Sequence, residues 1–349
     1  MPTEFKNIPP GPNEGGPVII NPAGDVPANY GPGRARWRIS PESAGLLERI
    51  CRARFDVQQL LPGVSDVWQE VQAQSQNLTG PMGAQSLNLR TTDEVIGTIA
   101  QSVYASTKIE GEEVFAKDVP LAIVGQADQR QSVQDDYSAR MTGAQDTYKA
   151  YIWALGQADP LPGGGVVNPE FLLHLHQLMF SRTKPGQAGK FKTENNQIQS
   201  GGAAILTMLP HDRVPECIAR LCDRLNSQFL IADNSGRYSK LLAVGEFVLD
   251  FLAIHPFADG NGRASRLLST YLLERAGFHF ARFYSLDSVL LDRQTEYYQV
   301  LFHSQKDWYA EKEDLTPWIE FYLSSIYSQW LRAHEEILRH KANGKAMPH

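Results

Sequence analysis

A mainly α fold is what this sequence predicts, and three observations carry the prediction. Apolar residues recur at helical spacing through nearly every segment beyond residue 36. Helix-start chemistry precedes several of those segments, as in Ser40-Pro41-Glu42 and Thr91-Thr92-Asp93-Glu94. Strand patterning is confined to one short stretch, NNQIQSGGAAIL at 195–206.

In chain order, residues 1–36 are rich in Pro and Gly and poor in large apolar side chains, which predicts a flexible arm unable to bury enough surface to order itself. Ser40 then supplies an N-cap hydroxyl, Pro41 the pre-set φ of a first helical position, and Glu42 an acid in the first turn. The apolar stripe Leu46, Leu47, Ile50 and Phe55 follows. Thr91 and Glu94 have the spacing of a capping box, ahead of Val95, Ile96, Ile99, Val103 and Tyr104 at helical spacing. Further helices are expected over 131–156, 168–182, 212–231, 238–254, 262–276, 291–304 and 315–341. The stretch 195–206 reads as a hairpin turning at Gly201-Gly202. The Pro/Gly-rich segment 157–167 marks a boundary between an N-terminal helical segment, 37–156, and a second domain, 157–345.

Bulk properties exclude several classes. With 349 residues, 42% hydrophobic and 21% charged, the chain can build a full core as a globular protein. A formal net charge of -6 and a pI of about 5.9 carry no basic nucleic-acid footprint, although a nucleotide site needs only a few placed charges. The three cysteines, Cys51, Cys217 and Cys222, have no metal-ligand spacing and read as small buried residues in a reducing compartment. The N-terminus lacks a basic region followed by an apolar stretch, and the most apolar run, 241–254, is interrupted by Glu246 and Asp250 and is short for a membrane span. A cytoplasmic, membrane-free protein is therefore expected.

The densest chemistry lies at 255–266, HPFADGNGRASR. Proline at 256 disfavours helix at His255, so the apolar helix before it ends there. Asp259-Gly260-Asn261-Gly262 then reads as a tight turn whose backbone N–H groups can converge on an anion, and the helix opened by Arg263 and Arg266 favours anions at its start. Asp259 beside phosphates calls for an intervening cation, and Mg2+ binds through one or two carboxylates plus substrate phosphates. His255 would stand within reach as a base. Each residue alone also suits a helix–turn–helix corner with a capping carboxylate and solvated arginines; the ordered set does not.

This stretch resembles the Fic family motif, HPFx(D/E)GNGRxxR, at every fixed position. The resemblance implies a Fic-type helical bundle and transfer of AMP from ATP to a Ser, Thr or Tyr hydroxyl of a target protein, this chain included. It implies His255 as general base, Asp259 as ligand of Mg2+ (or Mn2+), Gly260, Asn261 and Gly262 as the phosphate nest, and Arg263 and Arg266 as phosphate clamps. Gly262, where kinase-like Doc relatives carry lysine, favours nucleotidyl over phosphoryl transfer. Departures are Ala264-Ser265 in place of Thr-Gly, and Glu246 where many members carry His.

A second segment, Ser106-Thr-Lys-Ile-Glu110-Gly111, puts Ser106 and Glu110 on one helix face, with Gly111 suited to close the helix. By itself it also reads as an exposed acidic helix end. It resembles the family's inhibitory pattern (S/T)-x-x-x-E-(G/N), which implies that Glu110 pairs with Arg266 and restrains the enzyme, and leaves AMP removal open as a second activity. The resemblance covers about 90–330. It implies that the hairpin is a flap docking the target, with Ile198 as apolar clamp, after a lead-in Gly189-Lys-Phe-Lys192 that has Lys192 for the usual Arg. It implies adenine contacts from Tyr297, Tyr298 and Gln305, the last replacing Asn. His174 and His176, two apart on an apolar helix, read as structural. With little chain after 341, a DNA-binding domain is not expected, and homodimerisation is left open. Rival readings are a Fic-type transferase of UMP, GMP or phosphocholine, and an idle nucleotide-binding regulator.

Overall fold

The computed structural model describes residues 37, 40–60, 89–112, 114, 136–157, 160–161, 164–200, 203–235, 238–306, 308 and 313–342. The arm expected over 1–36 lies outside them. Among the described residues ten α-helices form: α1 (Pro41–Leu60), α2 (Leu89–Ile109), α3 (Asp136–Leu155), α4 (Pro169–Phe180), α5 (Val214–Ser235), α6 (Tyr238–Ile254), α7 (Asn261–Arg275), α8 (Leu286–Asp292), α9 (Gln294–Gln305) and α10 (Thr316–Ala342). Short 3-10 turns stand at His211–Arg213 and His279–Arg282, and one antiparallel pair, β1 (Gln197–Ser200) and β2 (Ala203–Thr207), supplies the sheet. The protein is mainly α, as its patterning predicts.

Local chemistry sets most of the boundaries. Ser40 Oγ accepts from the Ser43 N–H at 3.2 Å, so the expected cap starts α1. Asn168 caps α4 by accepting from Phe171 N at 2.7 Å, with Pro169 first in the helix. The apolar run of α6 is buried at every position from 241 to 254 except Glu246, which accepts a hydrogen bond from Trp37 Nε1 and another from Gln228 Nε2. Asp250, the other interruption, is fully buried and held by Arg224 and by Trp308 Nε1 at 2.8 Å. Helices α5, α6 and α7 pack in sequence at the centre, α10 crosses α6, and one hydrophobic core joins α1 through α10. Leu161, Val166 and Val167 of the Pro/Gly segment are buried in that core, with Asn226 accepting from Val166 N at 2.8 Å.

Four elements differ from expectation. Helix α2 begins at Leu89, so Thr91 lies inside the first turn and not at its cap; the side chains of 91–96 lie outside the described residues. Helix α8 and the turn His279–Arg282 are additional. Ser285 caps α8, accepting from Ser288 N at 3.1 Å, but seven residues are too few to establish a period. The hairpin forms at 197–207 with Ile198 opposite Leu206 and a bulge between Ile198 and Gln199; Gly201-Gly202 lie outside the described residues.

Candidate functional site

Helix α6 stops where the sequence says it must. His255 takes the left-handed backbone, φ 53°, a conformation that costs a non-glycine residue roughly 1–3 kcal/mol and concentrates at functional sites. Its N–H still reaches Phe251 O at 2.9 Å, and its ring Nδ1 lies 3.2 Å from Leu252 O. A carbonyl only accepts, so in the neutral ring Nδ1 carries the proton and Nε2 is the basic nitrogen.

The loop after His255 is closed by amide chemistry. Asn261 Oδ1 accepts from Phe257 N, and its Nδ2 donates to Phe257 O, both at 2.9 Å. Gly260, at φ 82°, forms the left-handed step into α7, and any side chain there would collide with the Phe180 ring. His176, read as structural from the sequence, supports this loop directly. Its ring stacks on Phe257 at 3.9 Å, its Nδ1 accepts from Gly189 N at 3.1 Å, and its Nε2 therefore donates to Asp259 O at 3.1 Å. Burial lowers its pKa to about 4, so it stays neutral in that role. His174 is exposed beside Trp153.

Asp259 sits at the rim. Burial alone would raise its pKa, but Arg263, Lys184 and the Gly260 N–H hold the carboxyl below its ordinary value. Lys184 pairs with Oδ2, Arg263 lies 3.8 Å from the same oxygen, and Gly260 N donates to Oδ1 at 2.6 Å. Among the described residues no group of three or more His, Cys, Asp or Glu could hold a metal by themselves. A divalent ion at Asp259 would thus take most of its oxygens from phosphates and water, which is how Mg2+ is commonly bound. A single carboxylate kept ionised beside the start of α7 fits that donor set.

One turn further into α7, Arg266 is 3% exposed. Glu110 accepts from its NH2, Ser106 Oγ accepts from Nε at 2.8 Å, Ser106 O accepts from NH2 at 3.1 Å, and Asp287 Oδ1 lies 3.4 Å from Nε. Burial is the largest single influence and disfavours its charge, yet Glu110 together with Tyr297, Asp287 and Tyr298 outweighs it, and the pKa is pushed up. The helix end that delivers Glu110 follows from Gly111 at φ 77°: Glu112 N reaches Thr107 O and Gly111 N reaches Lys108 O, a Schellman closure. Tyr298 OH and Gln294 Nε2 donate to Ile109 O at 2.7 and 3.0 Å, fixing that end to α9. A side chain at Gly262 would collide with the Glu110 carboxylate and come within 3.1 Å of Arg266 NH1. So Glu110 lies over the glycine where a phosphate nest is expected.

A cleft partly open to solvent is lined by Glu110, Ile198, His255, Gly262, Arg266, Tyr297, Tyr298 and Gln305 among others. The structure therefore brings together expected residues from four separated stretches of sequence. Ile198 reaches it from the hairpin, where it packs with Leu206 and Met208. Asn261 lies behind the cleft as a buried loop brace. Residues 166–273 match the family model described as Fic/DOC family. That stretch is similar to a Fic domain. The chain is 31% identical over 152 residues to a protein named protein adenylyltransferase Fic from Drosophila willistoni, covering 43% of this chain and 26% of that one. It is also 31% identical over 107 residues to the protein adenylyltransferase fic-1 of Caenorhabditis briggsae, covering 31% of this chain and 19% of that one. The chain thus spans about a quarter or less of these relatives. A crystal structure of a Fic family protein from Desulfovibrio desulfuricans superposes with a TM-score of 0.61 at 22% identity, covering 88% of this chain and 78% of that one. A Fic-domain signaling protein from Bacteroides thetaiotaomicron gives 0.58 at 15% identity, covering 87% and 99%. These two likenesses show the Fic fold.

Sequence reading missed Lys184 on Asp259, Asp287 and Tyr151 behind Arg266, and the bracing role of His176. Lys184, Tyr151 and Asp287 stand outside any motif and gave no signal. The substitution Lys192 is legible in its consequence. The lysine is buried, its N–H donates to Pro256 O at 2.9 Å, and its Nζ donates to Asn196 Oδ1 at 2.7 Å, tying the base of the hairpin to the His255 loop. Burial pulls its pKa down to about 7.

Proposed function

We propose that this Fic protein is an adenylyltransferase that moves AMP from ATP to a Ser, Thr or Tyr hydroxyl of a protein, itself included, and that Glu110 restrains it. The observation that carries the reading is the pairing of Glu110 with Arg266 over Gly262, inside the cleft that His255 lines. A buried guanidinium and a glycine at a helix start are anion-binding equipment, and here a carboxylate of the same chain occupies them.

In this reading ATP phosphates replace Glu110 on Arg266, and Gly260, Asn261 and Gly262 line the diphosphate turn at the start of α7. Arg263, over the Phe180 ring at 4.8 Å, takes a second phosphate. Tyr297, Tyr298 and Gln305 bound the adenine side, and Ile198 steers the target's backbone along the hairpin edge. Nε2 of His255 accepts the proton of the attacking hydroxyl as its oxygen bonds to the α-phosphorus and pyrophosphate leaves. Asp259 would hold Mg2+ (or Mn2+), which supplies charge neutralisation on the phosphates when bound, and Lys184 would release the carboxylate first.

The test uses ATP labelled at the α or the γ phosphate, with Mg2+ and lysate, on wild type, Glu110→Gly and Glu110→Gly/His255→Ala. Label on protein from α-labelled ATP only, strongest in Glu110→Gly and lost without His255, is the expected result. Label from γ-labelled ATP means a phosphotransferase. No label from either, with nucleotide bound, moves the assignment to another donor.

A further inference from the structure

We propose that Asp287 is a positioning residue for Arg266. It holds the inner, Nε edge of the guanidinium, so that the outer edge is offered to Glu110 in the restrained state and to a nucleotide phosphate once Glu110 withdraws. The inference rests on the nucleotide-binding reading given above.

The two carboxylates around Arg266 are built differently. Glu110 follows the last residue of α2 and is delivered by a glycine turn. Asp287 is fully buried in the first turn of α8. Its Oδ2 accepts from Tyr151 OH at 3.1 Å on α3, and its neighbour Ser285 both caps α8 and meets Ser102 Oγ of α2 at 2.9 Å. Its Oδ1 has no hydrogen bond but stands 3.4 Å from Arg266 Nε. A hydroxyl donor such as Tyr151 would be served as well by an amide oxygen. Burial pushes the Asp287 carboxyl up, and Arg266 is the strongest group holding it the other way, so the charge of Asp287 answers to Arg266.

A guanidinium this deeply buried needs a resident counter-ion, because an uncompensated buried ion is strongly destabilising. Glu110 cannot be that counter-ion in a working enzyme, since it must leave. Asp287 can, because it meets Arg266 at Nε, whereas the Gly262 position faces NH1, and it is carried by a separate helix. Ser106 Oγ assists on the same Nε edge. With that edge fixed, the orientation that suits Glu110 is already the one that suits a phosphate, and little ordering remains when nucleotide enters.

The experiment is ATP binding by titration calorimetry on the full chain, in the Glu110→Gly background. Adding Asp287→Asn is expected to weaken ATP binding about five- to fiftyfold, in the usual range of coupling between sites. In Glu110→Gly/Arg266→Ala the same substitution is expected to do nothing further, since its effect passes through Arg266. Unchanged or tighter binding in the first pair, or an equal loss in the second, overturns the proposal. If Asp287→Asn does not fold, Tyr151→Phe in the same two backgrounds keeps the charge and loosens its seat. About a two- to fivefold loss that vanishes with Arg266→Ala is then expected, and no loss overturns it. If Glu110→Gly itself binds no ATP, the nucleotide-binding reading fails and this inference falls with it. ATP bound by Glu110→Gly with Asp287→Asn silent removes only the role of Asp287.

Discussion

Arg263 and Arg266 leave α7 on nearly the same face and meet different surroundings. Arg263 lies over the Phe180 ring, 3.8 and 3.9 Å from the carboxylates of Asp259 and Glu112, and its buried Nε has no hydrogen-bond partner. Arg266 is engaged on both edges, by Glu110, by both oxygens of Ser106 and by Asp287. The front of the cradle is loosely held and the rear is closed by the chain itself. On the reading proposed above, restraint is local, one carboxylate on one guanidinium.

The largest expected effect concerns what both halves serve. In the Glu110→Gly background, His255→Ala should lower α-label transfer by about 10²–10⁴-fold, the usual worth of a positioned base, while ATP binding changes little. A transfer rate that persists breaks the assignment of the base.

Next comes the contrast between the arginines. Arg266→Ala leaves Glu110 and Asp287 buried without their cation and should cost roughly 3–5 kcal/mol in urea unfolding. Arg263→Ala should cost about 1–2 kcal/mol, because its ion pairs are long and its main contact is the Phe180 ring. Equal losses would mean that the two sides are held alike.

The hairpin base gives a pH test. Lys192 is buried with its pKa lowered to about 7, against 10.5 for the ordinary side chain. Between those values the unfolded chain binds the proton that the folded chain has released, so this group adds stability as pH rises from about 7 to 10.5 and removes it as pH falls. Lys192→Met should flatten the slope of stability against pH in that window relative to wild type. Parallel slopes would show that the ammonium is not desolvated there.

The smallest effect belongs to the rim. Lys184→Met removes the ammonium paired with Asp259 and should lower the Mg2+ concentration for half-maximal transfer by about two- to fivefold, since the lysine is half exposed and surface pairs are weak. An unchanged or raised requirement would show that Lys184 does not compete for the carboxylate.

Much of this site is legible in the residues. The end of α6 at Pro256, the Gly260 step and the closure of α2 at Gly111 follow from backbone preferences that a single sequence displays. The hairpin could be read because strand patterning stood alone in a helical chain. What could not be read came from distance in sequence. Asp287 meets Arg266 only because α8, too short to show a period, packs along α2, and Lys184 reaches Asp259 across the α4 loop. Thr91 misled because its capping spacing lies within a helix already begun at Leu89.

The central claim is that Glu110 withholds Arg266 from ATP. The measurement that tests it most directly is the initial rate of auto-modification with α-labelled ATP and Mg2+ for Glu110→Gly against wild type at equal protein concentration. A rise of about tenfold or more is predicted, as expected when a coupling of 1–3 kcal/mol is released. Equal rates, with Glu110→Gly folded and binding ATP, would contradict the account.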